Sequence, residues 1–174
     1  MGLKELAEQA QINRPLALKP TKIPSDMILV IDTREQQLLF QHTLGLEFII
    51  DTVHKGDYTI KGFENLFAIE RKKQNDLWTY CTSEMKSKTR RKMEEFDEIV
   101  RAGGFVGLVI EASEDDLLTG YTWARNYDPE KVRGALAAFE ARYGVSIYYN
   151  RDRAAIERWI LDRAVKFWYK QREV

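Results

Sequence analysis

The sequence predicts an α/β domain in which one β-sheet packs against helices. Two continuous apolar runs of strand length, 27–31 and 105–110, are typical of strands that are buried on both faces. Longer stretches instead repeat their apolar residues at helical spacing, among them 83–102, 129–143 and the stretch that follows Asp152. Such a succession of buried strands and amphipathic helices is the pattern of an α/β fold.

The first 26 residues are expected to form an appendage rather than part of this domain. Pro15, Pro20 and Pro24 interrupt any regular element there. We therefore expect a tail that lies on the surface or is disordered, followed by a domain that spans residues 27–174.

Composition narrows the classes of protein to which the chain can belong. With 174 residues it is expected to form one domain, and its formal net charge of zero means that any nucleic-acid surface must be local. The single Cys81 excludes an intramolecular disulfide and a cysteine-based zinc site, and it indicates a reducing compartment. Neither a membrane-spanning run nor a secretory signal is visible, so we expect a cytoplasmic protein without membrane contact.

A β-hairpin is predicted near the middle of the chain. The segments Asp57–Ile60 and Leu66–Ile69 are short and rich in β-branched or aromatic residues, and Gly62 and Asn65 between them supply turn chemistry. A further strand is expected at Phe48–Ile50, before the hairpin.

The hairpin carries two acids and a lysine. Alternation along the second strand places Glu70 and Lys72 on one face and Arg71 on the other, and pairing of the strands brings Asp57 alongside Glu70. Two carboxylates about 4 Å apart repel by about 4 kcal/mol at an effective dielectric of 20, so the pair needs a cation or a shared proton. Carboxylate oxygens suit Mg²⁺ or Mn²⁺. The set therefore suits metal-assisted phosphodiester hydrolysis, in which Lys72 orients water or neutralises developing charge.

Charged residues also follow the first buried strand. Asp32, Arg34 and Glu35 stand where this strand ends, which is where α/β sheets place their sites. A polar loop without a chemical role is the alternative interpretation. In the helix after the hairpin, Asn75 or Asp76 is expected to serve as the N-cap.

Five basic residues crowd the first half of the helix predicted at 83–102, with no acid until Glu94. They are Lys86, Lys88, Arg90, Arg91 and Lys92. One sign of charge at this density indicates contact with DNA phosphates, and we assign the same role to Arg71 and Lys73. A solvated helix face is the alternative.

Aromatic residues near the C-terminus bear on assembly. Phe167, Trp168 and Tyr169 are consecutive, so at about 100° per residue they cannot all face inward. With Trp159, the helix has more large aromatic residues than one apolar stripe needs to cover a small core. Exposed aromatic residues are enriched at protein interfaces. We therefore favour a homodimer, although a single exposed aromatic at a helix end needs no special explanation.

These residues carry a resemblance to a known family. Gly56-Asp57, then Glu70-Arg71-Lys72, then Asp76 resemble the GD…ERKxxxD signature of XPF-type structure-specific endonucleases. The segment 30–35 is similar to the V-D-x-R-E element that precedes it in that family. The resemblance covers about 27–150 and is strongest toward compact, stand-alone nucleases of bacteria and their phages.

The resemblance implies a restriction-endonuclease-like core, which is a mixed β-sheet flanked by helices. It implies that Asp57 and Glu70 bind Mg²⁺ or Mn²⁺, that the backbone carbonyl of Arg71 can face the metal, and that Lys72 is the catalytic lysine. The other matching residues, Asp32, Arg34 and Glu35, would form a supporting set. The implied activity is that of a metal-dependent DNA endonuclease acting on branched or otherwise structured DNA, in repair or recombination.

The chain differs from the larger members of that family. Its length leaves no room for the tandem helix-hairpin-helix domain that follows the nuclease core there, so the tail or a partner protein is expected to supply junction specificity. Two alternatives stay open at this point: a non-catalytic DNA-binding or scaffold member of the family, and an unrelated α/β protein. The first would be expected to lack an acid or the lysine, and this sequence has them all.

Overall fold

The computed structural model describes residues 21–41, 43–82, 86–119 and 126–173, and of Lys86 only its place in a helix. Its sheet has six strands in the order β2-β1-β3-β4-β5-β6. The strands are β1 (Ile28–Asp32), β2 (Glu47–Asp51), β3 (Tyr58–Ile60), β4 (Phe67–Lys73), β5 (Phe105–Glu111) and β6 (Ser146–Tyr149). Strand β3 is antiparallel to both β1 and β4, whereas β1 with β2, β4 with β5 and β5 with β6 are parallel. The predicted mixed sheet is thereby confirmed.

Helices cover both faces of this sheet. They are α1 (Gln74–Cys81), α2 (Lys86–Arg101), α3 (Glu114–Thr119), α4 (Pro129–Tyr143) and α5 (Arg153–Lys170). Helix α5 packs on one face, where Ile156 and Ile160 join the core formed with β1, β3 and β4. The other helices pack on the opposite face, where Phe96 of α2 and Leu136 of α4 meet β5.

Strand β4 contributes to both cores because its side chains alternate. Phe67 and Ile69 lie in the core under α5, whereas Ala68 lies in the core on the other face. The same alternation continues into the charged end of the strand, so that Glu70 and Arg71 are both buried but face opposite ways. This alternation agrees with the prediction made for the hairpin.

The helix ends follow the sequence signals in the C-terminal half and depart from them in α1. Asp128 accepts from backbone N–H groups at the start of α4, and Gly144 ends that helix with a φ of 65°. Helix α1 instead begins at Gln74, directly after β4, without a side-chain cap. The prediction that Asn75 or Asp76 caps it is wrong, because both residues already lie in the first turn.

Helix α3 was not among the predicted elements. It is six residues long, and three consecutive acids, 114–116, form its first turn. Leu117 is its buried residue, so the segment has no apolar periodicity for sequence analysis to detect.

The described part of the predicted tail lies against α5. Ile23 packs on the core, the Thr21 hydroxyl donates to the carboxylate of Asp162, and Asp26 forms an ion pair with Arg172. The prediction for residues 1–20 falls outside the described part of the chain.

The consecutive aromatics at the end of α5 do not all face the same way. Phe167 and Trp168 are buried and contact Phe63 edge to face, whereas Tyr169 is 43% exposed. Since Trp159 is buried as well, three of the four aromatics on which the homodimer hypothesis rests serve the core, and the homodimer stays a prediction. Within the described residues, no helix combines the length and the apolar character that crossing a membrane requires.

Two glycines with the same backbone conformation allow a stability prediction. Gly56 and Gly62 have φ values of 86° and 85°, but a Cβ at Gly56 would lie 2.7 Å from the carbonyl oxygen of Ile69, whereas one at Gly62 meets nothing within 4 Å. We expect Gly62→Ala to lower the free energy of unfolding by about 1–2 kcal/mol from backbone strain alone. Gly56→Ala should cost clearly more, because β3 must also separate from β4. Urea titrations would measure both, and equal losses would show that the close approach at Gly56 is unimportant.

Candidate active site

The pairing of β3 with β4 places Asp57 across from Glu70. Tyr58 is opposite Ile69, and one residue before it the N–H of Asp57 donates to the carbonyl oxygen of Ile69 at 2.7 Å. The N–H of Arg71 in turn donates to Asp57 Oδ2 at 2.7 Å. The Asp57 carboxylate is thus held by the backbone of the strand that carries Glu70.

Glu70 is a buried carboxylate with two ammonium partners. Its side chain has no exposed surface, Lys72 Nζ lies 2.5 Å from Oε1, and Lys92 Nζ lies 2.6 Å from Oε2. Burial by itself would raise the pKa of this carboxyl group, but the charges of the two lysines outweigh that effect and lower it. Glu70 is therefore ionised, and each of its oxygens is engaged by a cation.

Asp57 has the opposite electrostatic situation. Burial, followed by the negative charge of Glu70, raises its pKa from the ordinary 3.8 to about 7, although Lys72 opposes the shift. A second negative charge beside Glu70 is therefore unfavourable near neutral pH unless a further positive charge is supplied.

Lys72 lies between the two acids and an aromatic ring. Burial would lower its pKa, but Glu70 and then Asp57 raise it, so its ammonium group stays charged. The ammonium group also lies 4.8 Å from the centre of the Tyr80 ring, within cation–π range. The buried Tyr80 hydroxyl has no hydrogen-bond partner among the described residues.

Asp32 organises the loop at the end of β1. Its carboxylate accepts from the N–H, Nε and Nη2 of Arg34 at 2.8, 2.7 and 2.9 Å and from the N–H of Val53 at 2.9 Å. The side-chain hydrogen bonds from Arg34 lower the pKa of Asp32 to about 2, against the effect of burial. Its own N–H donates to the carbonyl oxygen of Asp57, which ties this loop to the acidic pair.

Arg34 itself is largely exposed and lies within electrostatic reach of the acidic pair. The hydrogen bond to Asp32 is the main cause of its raised pKa, and the charges of Asp57 and Glu70 add to it. The Arg34 side chain is 72% exposed, so it can contact a ligand at the edge of the site.

Arg71 points to the other face of the sheet. Its guanidinium lies 2.5 Å from Glu35 and 2.7 Å from Glu111, and the Tyr58 hydroxyl donates to Glu35 at 2.7 Å. The Arg71 side chain is only 4% exposed. It therefore supports the fold beneath the site and does not offer the side-chain DNA contact predicted for it. The predicted contact of its carbonyl oxygen with a metal stays a prediction.

The basic residues of α2 divide into three groups. Lys88 and Arg91 are exposed, Arg90 is exposed and lies 3.8 Å from Glu94, and Lys92 turns inward to Glu70. The predicted contact of Lys92 with DNA is thus replaced in this structure by an ion pair with a candidate metal ligand. The side chain predicted to bind DNA at Lys86 lies outside the described part.

Lys73 and the signature residue Asp76 follow Lys72 along the chain. Lys73 and Asp76 are exposed and line a cleft with Arg34 and Arg71. The charge of Asp76 contributes to the raised pKa of Lys72, so this acid is also within electrostatic reach of the site.

Two side chains around the site, those of Glu111 and Tyr80, were not predicted from the sequence. Glu111 ends β5 in parallel register with Lys73, and the rule that parallel strands end at one edge could have assigned it to the Arg71 network. Tyr80 follows the buried Leu77 by three residues on α1, a spacing that indicates packing but does not identify Lys72 as the partner.

Comparison with known proteins agrees with this architecture. The chain resembles two solved structures, XPF from Aeropyrum pernix and the same protein in complex with DNA, with TM-scores of 0.60 and 0.59 and sequence identities of 18% and 17%. The matches cover 79% and 84% of this chain but 59% and 67% of those chains, so they show the restriction-endonuclease-like fold of the nuclease domain. No curated protein gives a significant sequence match.

The family itself is shown by the sequence. Residues 31–162 match the ERCC4 domain, and this segment contains the end of β1, all of β2 to β6, the acidic pair and both lysines that contact Glu70. The chain therefore belongs to the ERCC4 domain family, with the architecture of an XPF-type nuclease domain.

Proposed function

We propose that this protein is a divalent-metal-dependent endodeoxyribonuclease. The observation that carries the proposal is the constellation of Asp57 and Glu70 on neighbouring strands, with the ammonium group of Lys72 at 2.5 Å from Glu70. Two carboxylates and a lysine on one face of the sheet, where β3 begins and β4 ends, supply metal ligands and a charge-stabilising group. Phosphodiester hydrolysis needs both.

The donor set fits Mg²⁺ or Mn²⁺. Asp57 and Glu70 offer carboxylate oxygens, and the raised pKa of Asp57 means that a cation at this position would relieve the repulsion from Glu70. Among the described residues, no three His, Cys, Asp or Glu side chains come together as a metal site. Water and phosphate oxygens would then complete the coordination, as is usual for Mg²⁺.

The roles of the chain's own groups follow from their positions. An ion held by Asp57 and Glu70 would supply Lewis-acid chemistry, since it would polarise a phosphoryl oxygen and lower the pKa of a nearby water. Asp57 is oriented by the N–H of Arg71, and Lys72 is placed to orient the water or stabilise the developing charge. Arg34, exposed beside the pair, is suited to bind a phosphate of the substrate.

The basic flank of α2 supports DNA as the substrate. At about 100° per residue, Lys88 and Arg91 lie about 40° and 100° from Lys92, whereas Arg90 lies about 160° away. Lys88 and Arg91 thus extend the positive surface next to the acidic pair in a chain with no net charge. We propose branched or otherwise structured DNA as the substrate, with a partner protein adding specificity, by analogy with the XPF-type proteins.

The test of this function is cleavage of a panel of flap, fork, junction and plain duplex DNAs with Mg²⁺ or Mn²⁺. We expect Asp57→Asn to reduce the cleavage rate by at least about 100-fold, more than is usual for residues that only support a metal ligand. Asp97→Asn is the matched control, because Asp97 pairs with Arg101 and lies about 140° around α2 from Lys92. A folded wild-type protein that binds but cleaves none of these DNAs would favour the non-catalytic DNA-binding alternative.

The raised pKa of Asp57 predicts that the free energy of unfolding of the metal-free protein depends on pH. The native state keeps this proton up to pH about 7, whereas the unfolded chain releases it near 3.8, so stability falls as pH rises between these values and is constant above them. In urea titrations, the advantage of Asp57→Asn over wild type should therefore grow by about 2–4 kcal/mol from pH 4 to pH 8.

In the presence of Mg²⁺, the wild type should become more stable than Asp57→Asn, because only the wild type keeps both carboxylates for the ion. Asp97→Asn keeps both carboxylates of the pair, so Mg²⁺ should stabilise it as it stabilises the wild type. A constant difference between Asp57→Asn and wild type from pH 4 to pH 8 would contradict the electrostatic account of the pair.

The exposed Lys88 and Arg91 of α2 are predicted to contact the DNA backbone. Replacing Lys88 and Arg91 together by Ala should weaken binding to every DNA substrate alike. It should also make the slope of log affinity against log salt shallower by up to about 1.8, since each phosphate contact contributes about 0.9. Fluorescence anisotropy without metal measures the slope, and Arg90→Ala is the control on the opposite side of α2. If Arg90→Ala made the salt slope as shallow as the double variant does, Lys88 and Arg91 would not be the DNA contact.

A further inference from the structure

Glu70 is the centre of a cluster of four titratable side chains. Asp57 and Glu70 face Lys72 and Lys92, and the two ammonium groups engage both oxygens of the fully buried Glu70 carboxylate. A divalent cation that binds to this carboxylate meets two positive charges already in place. Because like charges repel, release of one lysine from its contact would favour binding of the cation.

The two lysines are not held equally. Lys72 belongs to the same strand as Glu70, is 19% exposed, and is also fixed over the Tyr80 ring at 4.8 Å. Lys92 reaches in from α2, is 29% exposed, and its other neighbour is the Phe96 ring at 6.0 Å. Lys92 is therefore the partner that Glu70 can release with the smaller loss of contacts.

The released ammonium group of Lys92 could move toward the exposed side of α2 next to Lys88. Helix α2 itself is anchored, since the hydroxyl of the buried Thr89 donates to the carbonyl oxygen of Tyr80 at 2.9 Å. Only the flexible side chain has to move, and Lys88 lies one turn away on the same exposed flank. A DNA phosphate bound at that flank is a natural new partner for Lys92.

We infer that Lys92 is a positioning residue that acts as a displaceable counter-ion of Glu70. It keeps the buried carboxylate neutralised in the metal-free protein, releases Oε2 when a divalent cation binds, and then pairs with a phosphate of the DNA. The inference rests on the proposed binding of a metal by Asp57 and Glu70. It makes metal binding and DNA binding mutually reinforcing, because each removes the competition that Lys92 presents to the other.

The test is Mn²⁺ binding to the full chain by isothermal titration calorimetry, without DNA. We expect Lys92→Met to bind Mn²⁺ about 10-fold more tightly than wild type, a size typical of coupled binding events. Lys88→Met removes the same charge one turn away on the same helix, so it reports the general electrostatic effect and should change the affinity less than about 2-fold. An affinity of Lys92→Met equal to that of Lys88→Met, or weaker than wild type, would overturn the inference.

Two further variants keep the outcome interpretable. Lys92→Gln keeps a hydrogen-bond donor to Glu70 without the charge, and it should also bind Mn²⁺ more tightly than wild type if Lys92→Met fails to fold. Asp57→Asn separates this inference from the proposed function. If Asp57→Asn binds Mn²⁺ as well as wild type does, the metal assignment and the inference both fail. If only Asp57→Asn loses binding and the Lys92 variants match Lys88→Met, the inference alone fails.

Discussion

A carboxylate without exposed surface has to be neutralised inside the protein, and Glu70 imposes this requirement on its surroundings. An unpaired ion at such a position would cost several kcal/mol. Lys72 meets the requirement from the same strand, and Lys92 meets it from α2. The buried charge of Glu70 thus links β4, which carries Glu70 and Lys72, to α2, which carries the exposed Lys88 and Arg91.

The strand β4 meets a second electrostatic requirement on its other face. There the buried guanidinium of Arg71 is balanced by Glu35 and Glu111, which come from the loop after β1 and from the end of β5. Because the backbone N–H of the same residue binds Asp57, the acidic pair is supported by ion pairs on the opposite side of the sheet. Arg71 therefore contributes to the site through its backbone and to the fold through its side chain.

Much of this could be predicted from the sequence, because it depends on short-range rules. Strand alternation separates Glu70 and Lys72 from Arg71, and the turn at Gly62 brings Asp57 opposite Glu70. The pairing of Lys92 with Glu70 could not be predicted in the same way. A run of consecutive basic residues does not show which of them faces the sheet. The rotation of α2 is set by the buried Met93 and by other apolar side chains packed against the sheet.

The position of α5 has a consequence for how the chain emerges from the ribosome. The face of β1, β3 and β4 that carries Leu29, Ile60 and Ile69 is covered by α5. The strands of this face are translated well before that helix, so their apolar surface stays open to solvent until α5 has been made. A nascent or truncated chain that lacks α5 would therefore be a natural client of chaperones, even though every residue of the acidic site is already present in it.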